Sequence, residues 1–336
     1  MGSPDTLVEV WRGPFAESVH SGHAVICDGT GQIVQAWGDP AAVVLPRSSS
    51  KMIQALPLLT SGAADAVGLD RRRLALACAS HQGATIHVEA VADWLAEIGM
   101  GEDALRCGPQ VSRDDDLRDA MIRANEAPCQ LHNNCSGKHA GFLTLARHLG
   151  AGPEYIEPDH PVQRAALEAF EMTTGETSPG FGIDGCSAPN FAATMQGMAR
   201  AMAWFAGANT RSDTASQAAA RLVEAMMLHP EMVAGEGRAC TRLMRAASEP
   251  VALKTGAEGY FVAILPRRGM GIALKIADGA TRASECAISA ILVRLGVLDP
   301  ANPEVQAFLN PPETNRRGIV VGDIRPVSGL ADGGGV

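Results

Sequence analysis

The sequence predicts an α+β fold: one antiparallel sheet built from N- and C-terminal strands, flanked by helices, with a helical lobe inserted between the two groups of strands. Three observations predict it. Short strand-like runs punctuated by glycine turns occupy the chain up to about residue 45, helical patterns fill most of the middle, and strand-like runs return after residue 250. Strands joined by only a few residues pair antiparallel, because a parallel crossover needs a dozen or more.

The first strands are 7–11, 18–27 and 33–37, with Asp28-Gly29 and Thr30-Gly31 as hairpin punctuation. From Lys51 the period becomes helical, with Met52, Ile53, Leu56 and Leu59 on one stripe and Pro57 expected to kink or shorten the helix. Helix composition bounded by Gly, Pro or Asn marks 86–98, 114–123, 138–149, 161–172, 189–205, 213–228 and 236–247. Polar, glycine-rich loops join several of these, and functional residues favour such loops. Strands 251–254, 259–265 and 271–276 form a meander, followed by a helix at 281–295 and a strand at 319–322. The tail 332–336, an aspartate, three glycines and a valine, is expected to be mobile. We read one catalytic unit over 1–336, with a sheet lobe at 1–70 and 248–325 and a helical lobe at 71–247, and expect a ligand cleft where the lobes meet.

A chain of 336 residues buries a sizeable core, and 46% hydrophobic with 19% charged residues is the composition of an ordinary globular protein. The net charge of -9 and pI near 5.5 exclude a general nucleic-acid surface. The densest basic run, Arg71-Arg72-Arg73, reads as a solvated loop or a helix start. The N-terminus shows no basic segment followed by an apolar run, and no apolar stretch reaches the roughly 18 residues of a membrane span. A cytoplasmic protein with neither membrane nor nucleic-acid partner is expected. The cysteines at 27, 78, 107, 129, 135, 186, 240 and 286 are expected reduced, most of them as small buried hydrophobes, with Cys135 and Cys186 set apart.

Ser48-Ser49-Ser50-Lys51 stands at the mouth of the first helical pattern and places a serine and an amine one turn apart. A serine hydroxyl needs a base within hydrogen-bond reach before it attacks an amide, and Lys51 at i+3 is placed to be that base. Read blandly, the same residues are an N-cap run. Two further segments strengthen the chemical reading: Ser80 within Ala79-Ser80-His81-Gln82-Gly83, and Lys254-Thr255-Gly256, a strand end offering a positive charge, a hydroxyl and close backbone approach at glycine. A lysine base must be neutral, so moving its pKa from about 10.4 to near 7.5 asks roughly 4 kcal/mol of its surroundings. The oxyanion needs donors, and the Ser48 N–H and a backbone N–H after Lys254 are the candidates.

Ser-x-x-Lys, a second polar element and a Lys-Thr-Gly strand resemble the plan of serine β-lactamases and penicillin-binding proteins. Five blocks narrow the resemblance: Pro46 to Lys51, Ser80 to Gly83, His132-Asn133-Asn134-Cys135-Ser136-Gly137-Lys138-His139-Ala140-Gly141-Phe142, Asp184-Gly185-Cys186-Ser187-Ala188-Pro189, and Lys254 to Gly259. Together they resemble the rhizobial-type, or class 3, L-asparaginase family. The resemblance implies a serine β-lactamase-like fold, a homodimer, and hydrolysis of L-asparagine to L-aspartate and ammonia. It implies Ser48 as nucleophile, Lys51 as its base, and Ser80 with Lys254 as a second Ser-Lys pair. Free asparagine carries an ammonium and a carboxylate, for which Asp184 and Arg47 are the candidates, with Asn134 and His81 as further contacts. For each of the four a structural place in a turn stays open.

Cys135, Cys186 and a nearby nitrogen suggest a metal site. From the residues alone His139 or His132 would be the nitrogen ligand, and two loop cysteines or a local disulfide remain alternatives. The resemblance implies Zn2+ held by Cys135, Lys138 and Cys186, with water completing the shell, orienting substrate rather than generating the nucleophile. Two other functions stay open: a glutaminase or β-lactamase-like serine hydrolase, and a non-catalytic zinc-binding protein of the same fold.

Overall fold

The computed structural model describes residues 2–332, so the expected mobile tail, Asp332 apart, lies outside the described residues. The chain forms two compact units. One comprises Met1–Val44, Thr194–Gly207 and Gly237–Val336, the other Leu45–Ala193 and Ala208–Glu236. These bounds differ from the expected 1–70, 71–247 and 248–325. Residues 45–70 join the helices because the helix Lys51–Thr60 buries its surface among helices, whereas Met195–Ala206 joins the strands because it packs on the sheet.

The main sheet of this unit has eight strands among the described residues: β1 (Asp5–Arg12), β2 (Phe15–Cys27), β3 (Ile33–Trp37), β4 (Ala252–Thr255), β5 (Tyr260–Leu265), β6 (Met270–Ile276), β7 (Pro312–Thr314) and β8 (Val320–Pro326). Their order is β7-β8-β1-β2-β6-β5-β4, with β3 also on β2, and every pair is antiparallel. The α+β architecture built from both ends of the chain is therefore present. The long β2 makes it possible: residues 15–22 pair with β1, whereas 22–27 pair with β6 and 24–27 with β3. Ile272, Ala273 and Leu274 follow one another with no exposed surface, which a strand achieves only when both faces of its sheet are covered.

The expected helix 189–205 is corrected. Pro189–Phe191 is a strand paired with Phe181–Ile183, and the helix begins only at Met195, where the Thr194 hydroxyl accepts from the Gly197 N–H. That cap marks the true start. The helix expected at 236–247 contracts to Ala239–Ala246. The helix Pro303–Leu309, absent from the sequence reading, starts as its residues dictate: Asn302 caps it and Pro303 takes a first-turn position where no N–H is needed.

In the helical unit, Lys51 to Leu59 are all buried. A helix covered on every side is a core helix, and this one packs against Pro161–Thr174, Thr214–Leu228 and Ser136–His148. It continues past Pro57 and ends at Thr60, the Pro57 carbonyl accepting from the Ser61 N–H. Arg71-Arg72-Arg73 is a helix start, because Asp70 accepts from Arg73 N and opens Arg71–Ala77. All eight cysteines are free thiols. No helix among the described residues is long and apolar enough to cross a membrane.

Gly271 sets the distance between β6 and Met195–Ala206. A Cβ there would stand 2.0 Å from Ala203 N and 2.4 Å from Ala199 O, both backbone atoms that cannot rotate away. Gly271→Ala is expected to destabilise the protein by about 1–3 kcal/mol, the range for an overpacked core, as an earlier midpoint in urea unfolding.

Candidate active site

Ser48 sits in the one-turn 3-10 helix Arg47–Ser50 that leads into Lys51–Thr60. Arg47 opens this turn with φ +52°, a conformation that costs a residue with a Cβ. Its surroundings hold it there. The Arg47 N–H donates to Asn190 Oδ1 at 3.2 Å, and its guanidinium donates to Asp184 Oδ1 through Nε at 2.9 Å and Nη2 at 2.8 Å. The two residues expected at opposite ends of a substrate are thus each other's partner. Burial works against the Asp184 carboxylate, yet Lys138 and Arg47 outweigh it and hold the group below the usual carboxylate range.

The two serines come together. Ser48 and Ser80 are 8% and 7% exposed, and the Ser80 hydroxyl donates to Ser48 Oγ at 3.3 Å. Asn134 Nδ2 donates to Ser80 Oγ at 3.1 Å. The Ser80 loop is fixed by its backbone: Ser80 N donates to Val233 O at 2.9 Å and His81 N to Asn134 O at 3.2 Å. Lys51 has no exposed surface. Its amine donates to Ala79 O, to Cys135 Sγ at 3.1 Å and to Asn134 O at 3.4 Å. These acceptors take its hydrogen bonds, and the side chain that Ser48 meets is Ser80.

His81 is fully buried beneath this loop. Gly83 N donates to its Nδ1 at 3.1 Å, so its proton sits on Nε2 and points to Ser136 Oγ at 3.0 Å. The ring also stacks on His87, with centroids 4.7 Å apart and planes 7° from parallel. It therefore ties the Ser80 loop to the first residue of the helix Ser136–His148. Lys254, 1% exposed on β4, belongs to the sheet unit. Its amine donates to Thr255 O at 2.6 Å, and the Thr255 N–H donates to Cys240 Sγ at 3.3 Å.

Cys135, Lys138 and Cys186 converge. Cys135 precedes the helix Ser136–His148, its N–H donating to Asn133 Oδ1 at 2.8 Å. Cys186 lies in the turn joining Phe181–Ile183 to Pro189–Phe191, closed by Asp184 N donating to Ala188 O at 2.9 Å and by Ser187 at φ +70°. Lys138 Nζ donates to Cys186 Sγ at 3.1 Å and stands 5.3 Å from the centre of the Phe142 ring. The Cys135 thiol hydrogen-bonds to Cys186 and, against burial and with help from Lys138, holds the Cys186 thiol well below its ordinary pKa. Cys135 is pushed up by that same bond and by burial. Burial lowers Lys138, but Cys186, Cys135 and Asp184 together outweigh it and its pKa rises.

Two buried sulfurs are ligands of the kind zinc takes, while the Lys138 amine beside Cys186 and Phe142 serves as a ligand only once it has lost its proton. Among the described residues no group of three or more His, Cys, Asp or Glu is arranged to hold a metal, so a ligand set here depends on Lys138. The two histidines open from the sequence are each held through Nδ1. His132 Nδ1 accepts from Cys129 N at 3.1 Å. Arg106 N donates to Tyr155 OH and His139 Nδ1 pairs with the same hydroxyl, each at 2.8 Å, while the buried His139 Nε2 has no hydrogen-bond partner among the described residues. Sequence reasoning missed Ala79, Asn190 and Ser136. Ala79 acts through its carbonyl, which no side-chain pattern marks; Asn190 is one residue beyond the Asp184-to-Pro189 block, and Ser136 lies within the His132-to-Phe142 block.

His87, behind His81, gives a measurable consequence. Burial lowers its pKa from 6.5, with Arg72 acting in the same direction and the Glu231 carbonyl and Asp114 opposing. The unfolded chain takes up this proton before the folded one does. Stability from this residue is therefore full above about pH 6.5 and falls as pH drops toward the folded value. Urea midpoints measured from pH 8 to pH 5 are expected to fall less steeply in His87→Asn than in the wild type.

A family model described as L-asparaginase II matches residues 8–326. No curated protein matches. Among solved structures, the native form of Mglu is 16% identical with a TM-score of 0.48, 84% of this chain covering 66% of that one. Mglu in its Tris and glutamate form is 15% identical with a TM-score of 0.45, 84% of this chain covering 61% of that one. The chain thus spans slightly less than two thirds of either. A putative β-lactamase from Bacteroides dorei is 12% identical with a TM-score of 0.42, covering 77% of this chain and 87% of its own.

Proposed function

The chain belongs to the L-asparaginase II family, of amidohydrolases of asparaginase type, and from that premise we propose that it hydrolyses L-asparagine to L-aspartate and ammonia with Ser48 as nucleophile. The observation that supports this most is the 3.3 Å contact between the Ser80 and Ser48 hydroxyls, in a loop that also gathers Asn134. A hydroxyl pair relays a proton by rotating: as Ser48 Oγ bonds to the amide carbon, its proton passes to Ser80 Oγ while the Ser80 proton passes to a neutral lysine amine. That amine returns it to the nitrogen as the C–N bond breaks and ammonia leaves; water then releases aspartate from the Ser48 ester by the same relay. Lys51 and, from its motif, Lys254 are the amines proposed to serve this transfer. Lys51 must release one of its three acceptors to do so. The Ser48 N–H, at the start of the helical turn, is the proposed oxyanion donor.

Arg47 and Asp184 are the proposed anchors for the substrate carboxylate and ammonium, each exchanging its present partner for an opposite charge on the ligand. Cys135, Lys138 and Cys186 are the proposed holders of zinc. When bound, such an ion supplies a fixed positive charge that orients a polar substrate. Thiols and an amine must lose protons to ligate, so its binding weakens toward acid.

Ammonia release from L-asparagine by wild type and Ser48→Ala tests the nucleophile. The variant is expected to lose about 10^6-fold in kcat, the scale for removing a serine nucleophile, and equal rates would refute the assignment. Glutamine, one methylene longer, is expected to react about 10- to 200-fold less efficiently; a preference for glutamine in kcat/KM would favour the glutaminase reading. Exhaustive chelation is expected to raise KM while leaving kcat largely intact. Loss of turnover at saturating substrate would instead give the metal a place in the chemistry.

A further inference from the structure

One contact in the cluster is unused by the proposed reaction. Lys51 Nζ lies 3.1 Å from Cys135 Sγ, in the same geometry as Lys138 and Cys186, also at 3.1 Å. Lys51, Cys135, Cys186 and Lys138 are each at most 3% exposed, so both lysine–sulfur pairs are buried. The two lysines nevertheless differ in surroundings. Lys138 Nζ is 5.3 Å from the Phe142 ring centre and donates to Cys186, whereas Lys51 also donates to the Ala79 and Asn134 carbonyls. Lys51 is therefore anchored by two backbone carbonyls as well as by the sulfur.

A ligand thiolate in a buried site needs hydrogen-bond donors, because an uncompensated buried charge is costly. Donors behind a metal ligand also fix its direction, and their removal commonly weakens metal binding by 10- to 100-fold. Lys51 Nζ donates to Cys135 Sγ from within the protein, so it is such a donor to a ligand sulfur. We propose, on the zinc reading above, that Lys51 is a positioning residue for the metal site: its N–H holds Cys135 Sγ in place and ties the helix that follows Ser48 to the metal-ligand loop.

Cobalt(II) titration of the metal-free full-length chain against a competing chelator, read through the thiolate-to-cobalt charge-transfer band, tests this apart from activity. Lys51→Met is expected to bind cobalt about 10- to 100-fold more weakly, with a shifted band. Lys51→Gln, which keeps an N–H on a shorter neutral side chain, should lose a smaller factor. Ser48→Ala should bind like the wild type, since it removes the nucleophile and leaves the Lys51–Cys135 contact. Circular dichroism identifies which Lys51 variant folds, and wild-type affinity with an unshifted band in that variant overturns the proposal while leaving the zinc reading standing. A wild type that takes up cobalt without a thiolate band, or none at all, overturns both.

Discussion

A lysine side chain with no exposed surface is the constraint from which the helical unit follows. An amino group taken out of water must have its hydrogen bonds replaced, at a penalty of several kcal/mol if they are not. Lys51 finds them on Ala79, Asn134 and Cys135, in two segments far from it in the chain. Meeting that requirement gathers three segments at one point. The loop after Arg71–Ala77 arrives with Ser80, the loop before Ser136–His148 arrives with Asn134 and Cys135, and the helix itself brings Ser48 on its preceding turn. The serine pair and the place of Cys135 are thus two consequences of one buried amine.

Charge around this point is balanced by local pairs. Asp184 stands between Arg47 and Lys138, and the Cys186 thiol is acidified by its neighbours while Cys135 keeps its proton. The two non-glycine residues held at positive φ beside the site, Arg47 and Ser187, flank this arrangement in its two turns. Strain of about 1–3 kcal/mol per such residue persists only where surrounding contacts over-determine it, and here a guanidinium–carboxylate pair and the 184–188 turn do so. Arg47, at 26% exposed in its side chain against 11% for Asp184, is the partner with more access to water.

Much of the fold was legible locally. Alternation and turn residues gave the strands of both chain ends, and the 3.6-residue period gave most helices. The errors have local causes: helix composition extended 189–205 through a strand because Pro189 and its neighbours carry no signal of their distant pairing with Phe181–Ile183, while Asn302-Pro303 was a start signal left unread. The compact units divide elsewhere than at residue 70 for a different reason. Helix 51–60 looks amphipathic from one stripe, yet it is covered on every side, and coverage depends on other segments.

The sequence by itself determined which side chains are available for chemistry and in what order: the Ser48-Lys51 spacing, Ser80, the Cys135 and Cys186 blocks, the Lys-Thr-Gly strand, and with them the family. Spacing along one helix or turn is a local property, so it survives in a linear code. Only the tertiary structure decided who bonds to whom. Lys51 faces two backbone carbonyls and a thiol, Ser48 faces Ser80, and Arg47 faces Asp184, because the strongest acceptors for a buried amine are set by where distant peptide groups come to lie. Every residue carries the same carbonyl, so no side-chain pattern records which one will be there.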